Sequence, residues 1–410
     1  MKKIAVIGGG AAGIMAAIVA AQNGAQVTLF EKTNRLGRKL SITGKGRCNL
    51  TNTADVPEVV KNIQGNGKFL FSALKNFSPV DTVNFFESLG VKTKIERGGR
   101  IFPESDDAHE VIDALEKKLA LVGVEVKTNS PVMNIFAENH KISGVLVDGK
   151  IIPVDAVILA TGGASYPATG STGDGFKFAR RLGHHVTEIL PALVPLETEE
   201  TFVKDLQGLS LKNVRVKLLA DGKSVAEQFG EMLFTHFGVS GPIILTLSRQ
   251  AAQLLHAGKF LELEINLKPA LTPEQLDARI LRDFDKFKRK AIKNALIELL
   301  PAKLIPVVLD AAFIDETKRV DEITAVERRR LVENLRGLLL TVTKTRPIDE
   351  AIVTAGGVDV KEIDPKTMRS KVVENLFVVG EVLDIDGFTG GFNLQAAWST
   401  GFTAGTAAAQ

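Results

Sequence analysis

The chain has 410 residues, 45% apolar and 24% charged, the composition of an ordinary globular protein. At roughly 100 to 200 residues per domain, two or three domains with cores of their own are expected. A single cysteine, Cys48, excludes an internal disulfide, a Cys-x-x-Cys redox pair, a cysteine-ligated iron–sulfur cluster and a multi-cysteine zinc site, and makes a reducing cytoplasm the natural compartment; the net charge of +3 does not by itself advertise nucleic acid.

Residues 4–30 carry no charge after Met1-Lys2-Lys3, yet their glycines together with Gln22, Asn23, Gln26 and Thr28 rule out a signal peptide or membrane span. The stretch divides into a β-rich run (Ile4, Val6, Ile7), a glycine turn, an Ala-rich helix and a second β run from Val27 to Phe30. The turn, Gly8-Gly9-Gly10-Ala11-Ala12-Gly13, is G-x-G-x-x-G directly after a strand and opening a helix. Gly8 permits the tight turn, Gly10 lets backbone approach a pyrophosphate, and Gly13 lets helix and strand pack closely. The helix N-terminus, at Ala11 and Ala12, supplies free N–H groups to the anion. Glu31, 18 residues after Gly13, ends the second strand, where a carboxylate can accept both ribose hydroxyls. The motif alone is weak and does not separate FAD from NAD; strand, helix, second strand and terminal acid in register make it a dinucleotide site.

Ile151 to Ala160 reads as another buried strand, ending in Thr161-Gly162-Gly163, so that residues 1–190 form an α/β texture. Pro191, Pro195 and the acids Glu197, Glu199 and Glu200 mark a boundary, after which alternation at Val214, Val216, Leu218 and at Leu261, Leu263, Ile265 indicates a small β domain. From Thr272-Pro273 the pattern is helical, with Leu276, Ile280, Phe284, Phe287, Ala291 and Ala295 spaced for one buried face, and Glu327 to Arg336 reads as a further helix. After Arg346-Pro347 the α/β texture returns. The division is therefore a discontinuous first domain, 1–190 plus 346–410, interrupted by a β domain, 191–270 plus 337–345, and a helical insert, 271–336.

Glu31 is followed by Lys32 and a Gly37-Arg38-Lys39 turn, which resembles the extended FAD signature of glutathione-reductase-like flavoproteins. Leu376 to Val379 followed by Gly380-Glu381, and then Gly387-Phe388-Thr389-Gly390-Gly391-Phe392-Asn393-Leu394-Gln395, is similar to their second FAD motif. In those proteins the acid meets the ribitol, and a helix N-terminus faces the flavin pyrimidine edge, where reduced flavin carries negative charge. Thr43-Gly44-Lys45-Gly46-Arg47-Cys48-Asn49-Leu50-Thr51-Asn52, the stretch Gly230 to His236 with Gly238 to Pro242, and the terminal motif together resemble the HI0933-like bacterial flavoproteins, also called BaiN-like or aminoacetone-oxidase-like, over essentially the whole chain. The resemblance implies a Rossmann-type FAD domain interrupted by a β-barrel-like domain and a small helical insert. It also implies FAD contacts from Lys32, Arg38, Lys39, Gly46, Arg47, Cys48, Asn49, Val132, Thr161, Gly162, Gly163 and the Gly380-Glu381 and Gly391-to-Leu394 segments. Gly170 to Gly175 resembles a segment of fumarate-reductase-like FAD proteins.

No second G-x-G-x-x-G follows a strand, so NADH or NADPH must visit the flavin transiently. Lys45 and Arg47 are candidates to place positive charge at a substrate carbonyl or at the reduced flavin, against the plainer role of folding the loop around FAD. Cys48 as a general acid competes with a small buried thiol packed by the flavin, and His236 as a proton donor competes with a structural histidine in a β loop. His184-His185, at a helix end, reads as capping, and no residue set has metal-ligand spacing.

From Arg279 to Lys293 seven bases (Arg279, Arg282, Lys286, Lys288, Arg289, Lys290, Lys293) accompany two acids, a local +5 that exceeds the whole chain's +3. A solvated helix face is one explanation and a surface facing RNA is the other, with Arg328-Arg329-Arg330 in the same insert. The resembled family includes FAD- and NADH-dependent enzymes that reduce a uridine of 23S ribosomal RNA to dihydrouridine, and others that oxidise small amines such as aminoacetone. The basic insert favours the RNA substrate; a small-amine oxidase and a non-catalytic flavin-containing RNA-binding module stand as alternatives.

Overall fold

The computed structural model describes residues 1–410. Contacts divide the chain into two units, residues 1–190 with 348–410 and residues 191–347. In the first unit β1 (Lys3–Ile7), α1 (Ala11–Gln22) and β2 (Gln26–Phe30) are followed by α2 (Ala108–Leu121), β3 (Glu125–Lys127), β4 (Ala156–Leu159) and α3 (Asp174–Arg181). The second unit contributes β5 (Leu196–Thr198), β6 (Ser210–Ala220), β7 (Lys223–Thr235), β8 (Gly238–Ser240), α4 (Pro242–His256), β9 (Leu261–Asn266), α5 (Pro273–Lys286), α6 (Ala325–Arg336) and β10 (Leu338–Thr345). The chain then returns to the first unit with β11 (Leu376–Val378) and α7 (Phe392–Ala409).

The first unit is a Rossmann-type α/β fold. Its sheet runs β11-β4-β1-β2-β3, parallel throughout. Parallel strands are covered on both faces and so read as continuous apolar runs: every residue of β4 is buried, as are Ile4 to Ile7 of β1. The expected single strand over 151–160 is instead two. Lys150–Pro153 pairs in a separate three-stranded antiparallel sheet with Val132–Glu138 and Lys141–Val147, and β4 begins only at Ala156. Pro153 lacks an N–H for a continued ladder. Asp155 turns the chain and its carboxylate accepts the Lys3 N–H at 2.7 Å.

The second unit closes a six-stranded barrel in the order β5-β8-β7-β6-β9-β10. Leu276, Ile280 and Phe284 of α5 and Leu331 and Leu335 of α6 share one core with Val216, Leu218, Leu263 and Ile265 of the barrel. The helical pattern expected to run from Thr272 through Ala295 breaks at Lys286. Phe287 leaves helical geometry, residues 287–290 turn, and Ile292 N–H donates to Lys318 O at 2.9 Å before a short second helix, Ile292–Ala295. Lys286, Lys288, Arg289 and Lys290 would crowd four positive charges onto one further turn, and like charges at helical spacing oppose extension. No helix is long and apolar enough to cross a membrane, and no group of three or more His, Cys, Asp and Glu side chains is gathered to hold a metal.

Candidate functional site

The site is built at the ends of β1, β2 and β4 in the first unit. A Cβ at Gly13 would lie 1.9 Å from Gly8 O, and one at Gly8 would lie 2.5 Å from Ala160 O, so turn, helix and neighbouring strand close on one another only without side chains. A Cβ at Gly10 would meet nothing within 4 Å; it would project into a cradle beside the start of α1. Five helices are capped by side chains, from Asp55, Ser78, Asp107, Thr272 and Thr324, whereas α3 and α4, which start after Gly173 and Gly241, are not. Gly10 and Gly391, the N-caps of α1 and α7, supply none, which leaves the N–H groups at Ala11, Ala12 and Gly13 and at Phe392, Asn393 and Leu394 without side-chain acceptors.

Glu31 ends β2 with its carboxylate pinned: Gly9 N–H donates to Oε2 at 2.8 Å and Thr33 N–H to Oε1 at 2.7 Å. Lys32 reaches away, 2.7 Å from Asp174 Oδ2 and 2.5 Å from Thr172 Oγ1. Burial pushes the Asp174 carboxyl up, but hydrogen bonds from Lys32 and Thr172 and the Lys32 charge outweigh it and hold the group at about 2. Residues 170–174 are thereby tied to the end of β2, and Gly173 N–H donates to Gly163 O at 3.1 Å, so this segment spans from β2 to the turn after β4. Asn129 and Ser130 N–H groups donate to Thr33 O and Glu31 O at 2.8 and 2.9 Å, and Val132 opens the next strand from this same edge.

Arg38 is half-buried and its guanidinium has no protein partner. Lys39 donates to Glu381 Oε2 and Ser165 Oγ, each at 2.7 Å. Glu381 Oε1 also accepts from Thr354 N–H at 2.9 Å and Ser165 Oγ at 3.2 Å, while Gly380 N–H donates to Thr400 Oγ1 at 3.1 Å. Burial pushes the Glu381 carboxyl up, but the Lys39 ammonium and these donors hold it below its ordinary value. Beside it, Thr161 of the Thr161-Gly162-Gly163 turn has a buried Oγ1 with no hydrogen-bond partner.

The Thr43-to-Asn52 string docks on α7. Asn49 donates through Nδ2 to Thr51 O and Ile101 O at 3.0 and 3.1 Å and accepts from Gly391 N–H at 2.9 Å. Trp398 Nε1 donates to Leu50 O at 3.0 Å, and Gln395 Oε1 accepts from Thr51 Oγ1 at 2.5 Å. Asn393 closes the loop ahead of α7 through Gly387, bonding its N–H and its carbonyl at 2.8 Å each. Gly46 O accepts the Ala108 N–H that opens α2, at 2.9 Å. Arg47 is fully engaged, 2.7 Å from Glu96 and 3.4 Å from Asp106, with its guanidinium 4.1 Å over the Phe102 ring. Lys45 is exposed and has no protein partner. Cys48 is fully buried, and burial pushes its thiol up to about 12, where it is neither nucleophile nor useful acid at neutral pH.

His236 belongs to the second unit, exposed on the turn between β7 and β8 with its ring edge-on to Phe237. His184 is not a simple cap. Its buried ring lies 2.8 Å from Glu362 Oε2 through Nδ1 and 2.8 Å from Ser370 Oγ through Nε2. Ser370 Oγ already accepts from Val372 and Val373 N–H at 3.0 and 2.8 Å, so its proton goes to Nε2, and Nδ1–H goes to Glu362. A buried serine with both lone pairs filled is a clamp, not a nucleophile.

These residues fit FAD: the Gly10 cradle and two uncapped helix ends suit its phosphates and pyrimidine edge, and Glu31 suits its ribose. The family model described as the HI0933-like protein Rossmann domain matches residues 2–407. The chain belongs to the HI0933-like family. It is 36% identical, over all of both chains, to a 3-dehydro-bile acid delta(4,6)-reductase of Clostridium scindens. It is 31% identical to a ribosomal RNA dihydrouridine synthase of Haemophilus influenzae, covering 97% of this chain and 96% of that one. A ribosomal RNA dihydrouridine synthase of Escherichia coli is 29% identical over 96% and 95% of the two chains. In fold it is similar to a 3-ketosteroid delta1-dehydrogenase from Sterolibacterium denitrificans, with a TM-score of 0.55, 14% identity and full coverage of both chains. Membership and full-length relatives make this HI0933-like chain an FAD-dependent oxidoreductase, and the non-catalytic alternative falls away.

Sequence reading missed Asp174, Ser165 and Thr354. Asp174 lies in the Gly170-to-Gly175 segment, but nothing local marks the roles of the three: Asp174 meets Lys32 across 142 positions, Ser165 meets Lys39 across 126 and Thr354 meets Glu381 across 27.

Proposed function

We propose that the chain reduces a uridine of 23S ribosomal RNA to dihydrouridine in the cytoplasm, with NADH or NADPH as electron source. The observation that carries this reading is the bare positive surface of the helical insert. Arg279, Lys286 and Lys293 are paired with Asp283, Glu298 and Glu316, but Arg282, Lys288, Arg289 and Lys290 are exposed with no carboxylate partner. Neither a small amine nor a steroid requires such a surface, whereas phosphates do. The two dihydrouridine synthases among the full-length relatives support the same substrate.

When bound, FAD supplies hydride from its reduced ring. In uridine the C5=C6 bond is conjugated to the C4 carbonyl, so hydride at C6 and a proton at C5 saturate it. The uncapped N-terminus of α7 would offset negative charge on the ring edge, and Lys45, free of protein partners, would offset charge developing on the substrate carbonyl. Arg47 is the weaker candidate because Glu96 and Asp106 already balance it.

The 36% identical reductase favours a second reading, a conjugated steroid-like enone as the alkene that is saturated. Anaerobic holoenzyme bleached with NADH or NADPH and then mixed with a 23S ribosomal RNA transcript or with a 3-oxo-delta(4,6) bile acid decides between them. Reoxidation by the transcript alone is expected; reoxidation by the bile acid alone would replace the RNA reading with the second.

A further inference from the structure

The outer face of the barrel holds a polar groove. Val216 and Leu218 of β6 and Leu263 and Ile265 of β9 are buried in the barrel core, so the alternating residues Arg215, Lys217, Glu264 and Asn266 stand outward. The antiparallel register sets Arg215 opposite Asn266 and Lys217 opposite Glu264. The last turn of α6 approaches this face, where Leu267 N–H donates to Leu335 O at 2.9 Å. Glu333, Arg336 and Gly337 complete the lining of a cavity of about 360 Å³, at the small end of the roughly 300–1,000 Å³ of ligand pockets.

Two donors in this lining are unsatisfied. Arg336 makes no ion pair or hydrogen bond, and its Nε is buried. Arg215 is ion-paired with Glu227, but its Nε, 3.3 Å from Oε1, is out of alignment and makes no hydrogen bond. A buried N–H without an acceptor is unfavourable, and the Arg336 Nε, which has no ionic partner either, calls for one. Lys217 is balanced by Glu264 at 2.8 Å. Asn266 Oδ1 accepts Lys268 N–H at 2.9 Å, which leaves Nδ2 to donate.

We infer that this groove holds one phosphodiester of an RNA strand together with its ribose, an inference that rests on the ribosomal RNA reading. Arg215 is paired with Glu227 and Lys217 with Glu264, which leaves Arg336 as the cation of the lining without a carboxylate partner. One such cation matches a single phosphodiester but falls short of a terminal phosphate or a pyrophosphate. Arginine forks suit the phosphoryl oxygens. Glu264 and Glu333 accept hydrogen bonds and so suit the 2′-hydroxyl, the group that separates RNA from DNA. The lining has no aromatic ring on which a base would stack, so the groove reads backbone and not sequence.

The test is binding of yellow holoenzyme to a 23S ribosomal RNA transcript across a salt series, for wild type, Arg336→Ala, Arg336→Lys and Arg215→Ala. Flavin content and melting temperature certify that each variant is folded. Both alanine variants are expected to bind roughly tenfold more weakly, with the slope of log K against log salt reduced by about one contact. Arg336→Lys is expected to keep the slope and lose part of the affinity. Unchanged affinity and slope in both alanine variants, beside a wild type that binds, would overturn the groove and leave the RNA reading standing. A wild type that does not bind would overturn both. A saturable rise in melting temperature of wild type with inorganic phosphate alone, lost in Arg336→Ala, would assign the groove to free phosphate and overturn the RNA assignment.

Discussion

Lys39 Nζ and Glu381 Oε2, 342 positions apart in the chain, lie 2.7 Å from each other and join the Gly-Arg-Lys turn after β2 to the acid after β11. The acid implied to meet the ribitol is thus first a partner of Lys39, Ser165 and the Thr354 N–H, and its charged form is what these donors stabilise. Because the folded value lies below the ordinary 4.5, the pair contributes stability that is complete above about that pH and is lost as the pH falls through the folded value. Glu381→Gln is expected to lose about 2 kcal/mol at neutral pH, the scale of hydrogen bonds to a charged group. In denaturant titrations the gap from wild type should narrow as the pH falls below the ordinary 4.5 and through the lower folded value; a gap that persists in strong acid would show that the loss is steric.

Gly10 and Gly13 separate cofactor binding from folding. Gly10→Val places its side chain in open space at φ −90, so the protein is expected to fold with an unchanged core yet purify without yellow colour. Gly13→Ala drives a methyl into Gly8 O at 1.9 Å and is expected to destabilise the unit itself. Melting temperature and flavin absorbance of the two variants distinguish these outcomes.

The Lys32–Asp174 pair ties the 170–174 segment beside Glu31. Its side chains are 31% and 36% exposed, so the tie is modest. Lys32→Met and Asp174→Asn are each expected to weaken FAD binding to the apoprotein by about 1 kcal/mol, or roughly fivefold. The swapped pair Lys32→Asp with Asp174→Lys should recover part of it. Fluorescence titration with FAD reads the effect. Titration with riboflavin, which lacks the adenosine half, should show no difference.

Cys48 is expected to resist thiol reagents in the folded protein and to react fully in denaturant, since its thiol is buried and pushed up to about 12. Cys48→Ala should retain FAD and turnover; loss of turnover with FAD retained would restore the thiol as a catalytic acid.

Local chemistry was legible in the sequence. The G-x-G-x-x-G turn after β1, Glu31 after β2 and the glycine-led start of α7 are each set within a few neighbouring residues, and each forms in the structure. Break points that depend on long-range competition were not. The strand expected over 151–160 divides because Pro153 and Asp155 leave one sheet for another. The helix past Lys286 stops because Ile292 and Val320 find backbone partners across the insert. The charge balance of candidate residues was hidden as well. Arg47 looked available until Glu96 and Asp106 stood beside it, and the +5 stretch lost Arg279, Lys286 and Lys293 to partners, two of which lie outside it.

Dihydrouridine mapping of 23S ribosomal RNA tests the central claim most directly, with RNA from cells that carry the gene, lack it, or lack it and are complemented by Lys45→Ala. One modified uridine is expected to be lost on deletion, restored by the wild-type gene and restored poorly by the variant. An identical map with and without the gene would contradict the assignment of ribosomal RNA as substrate.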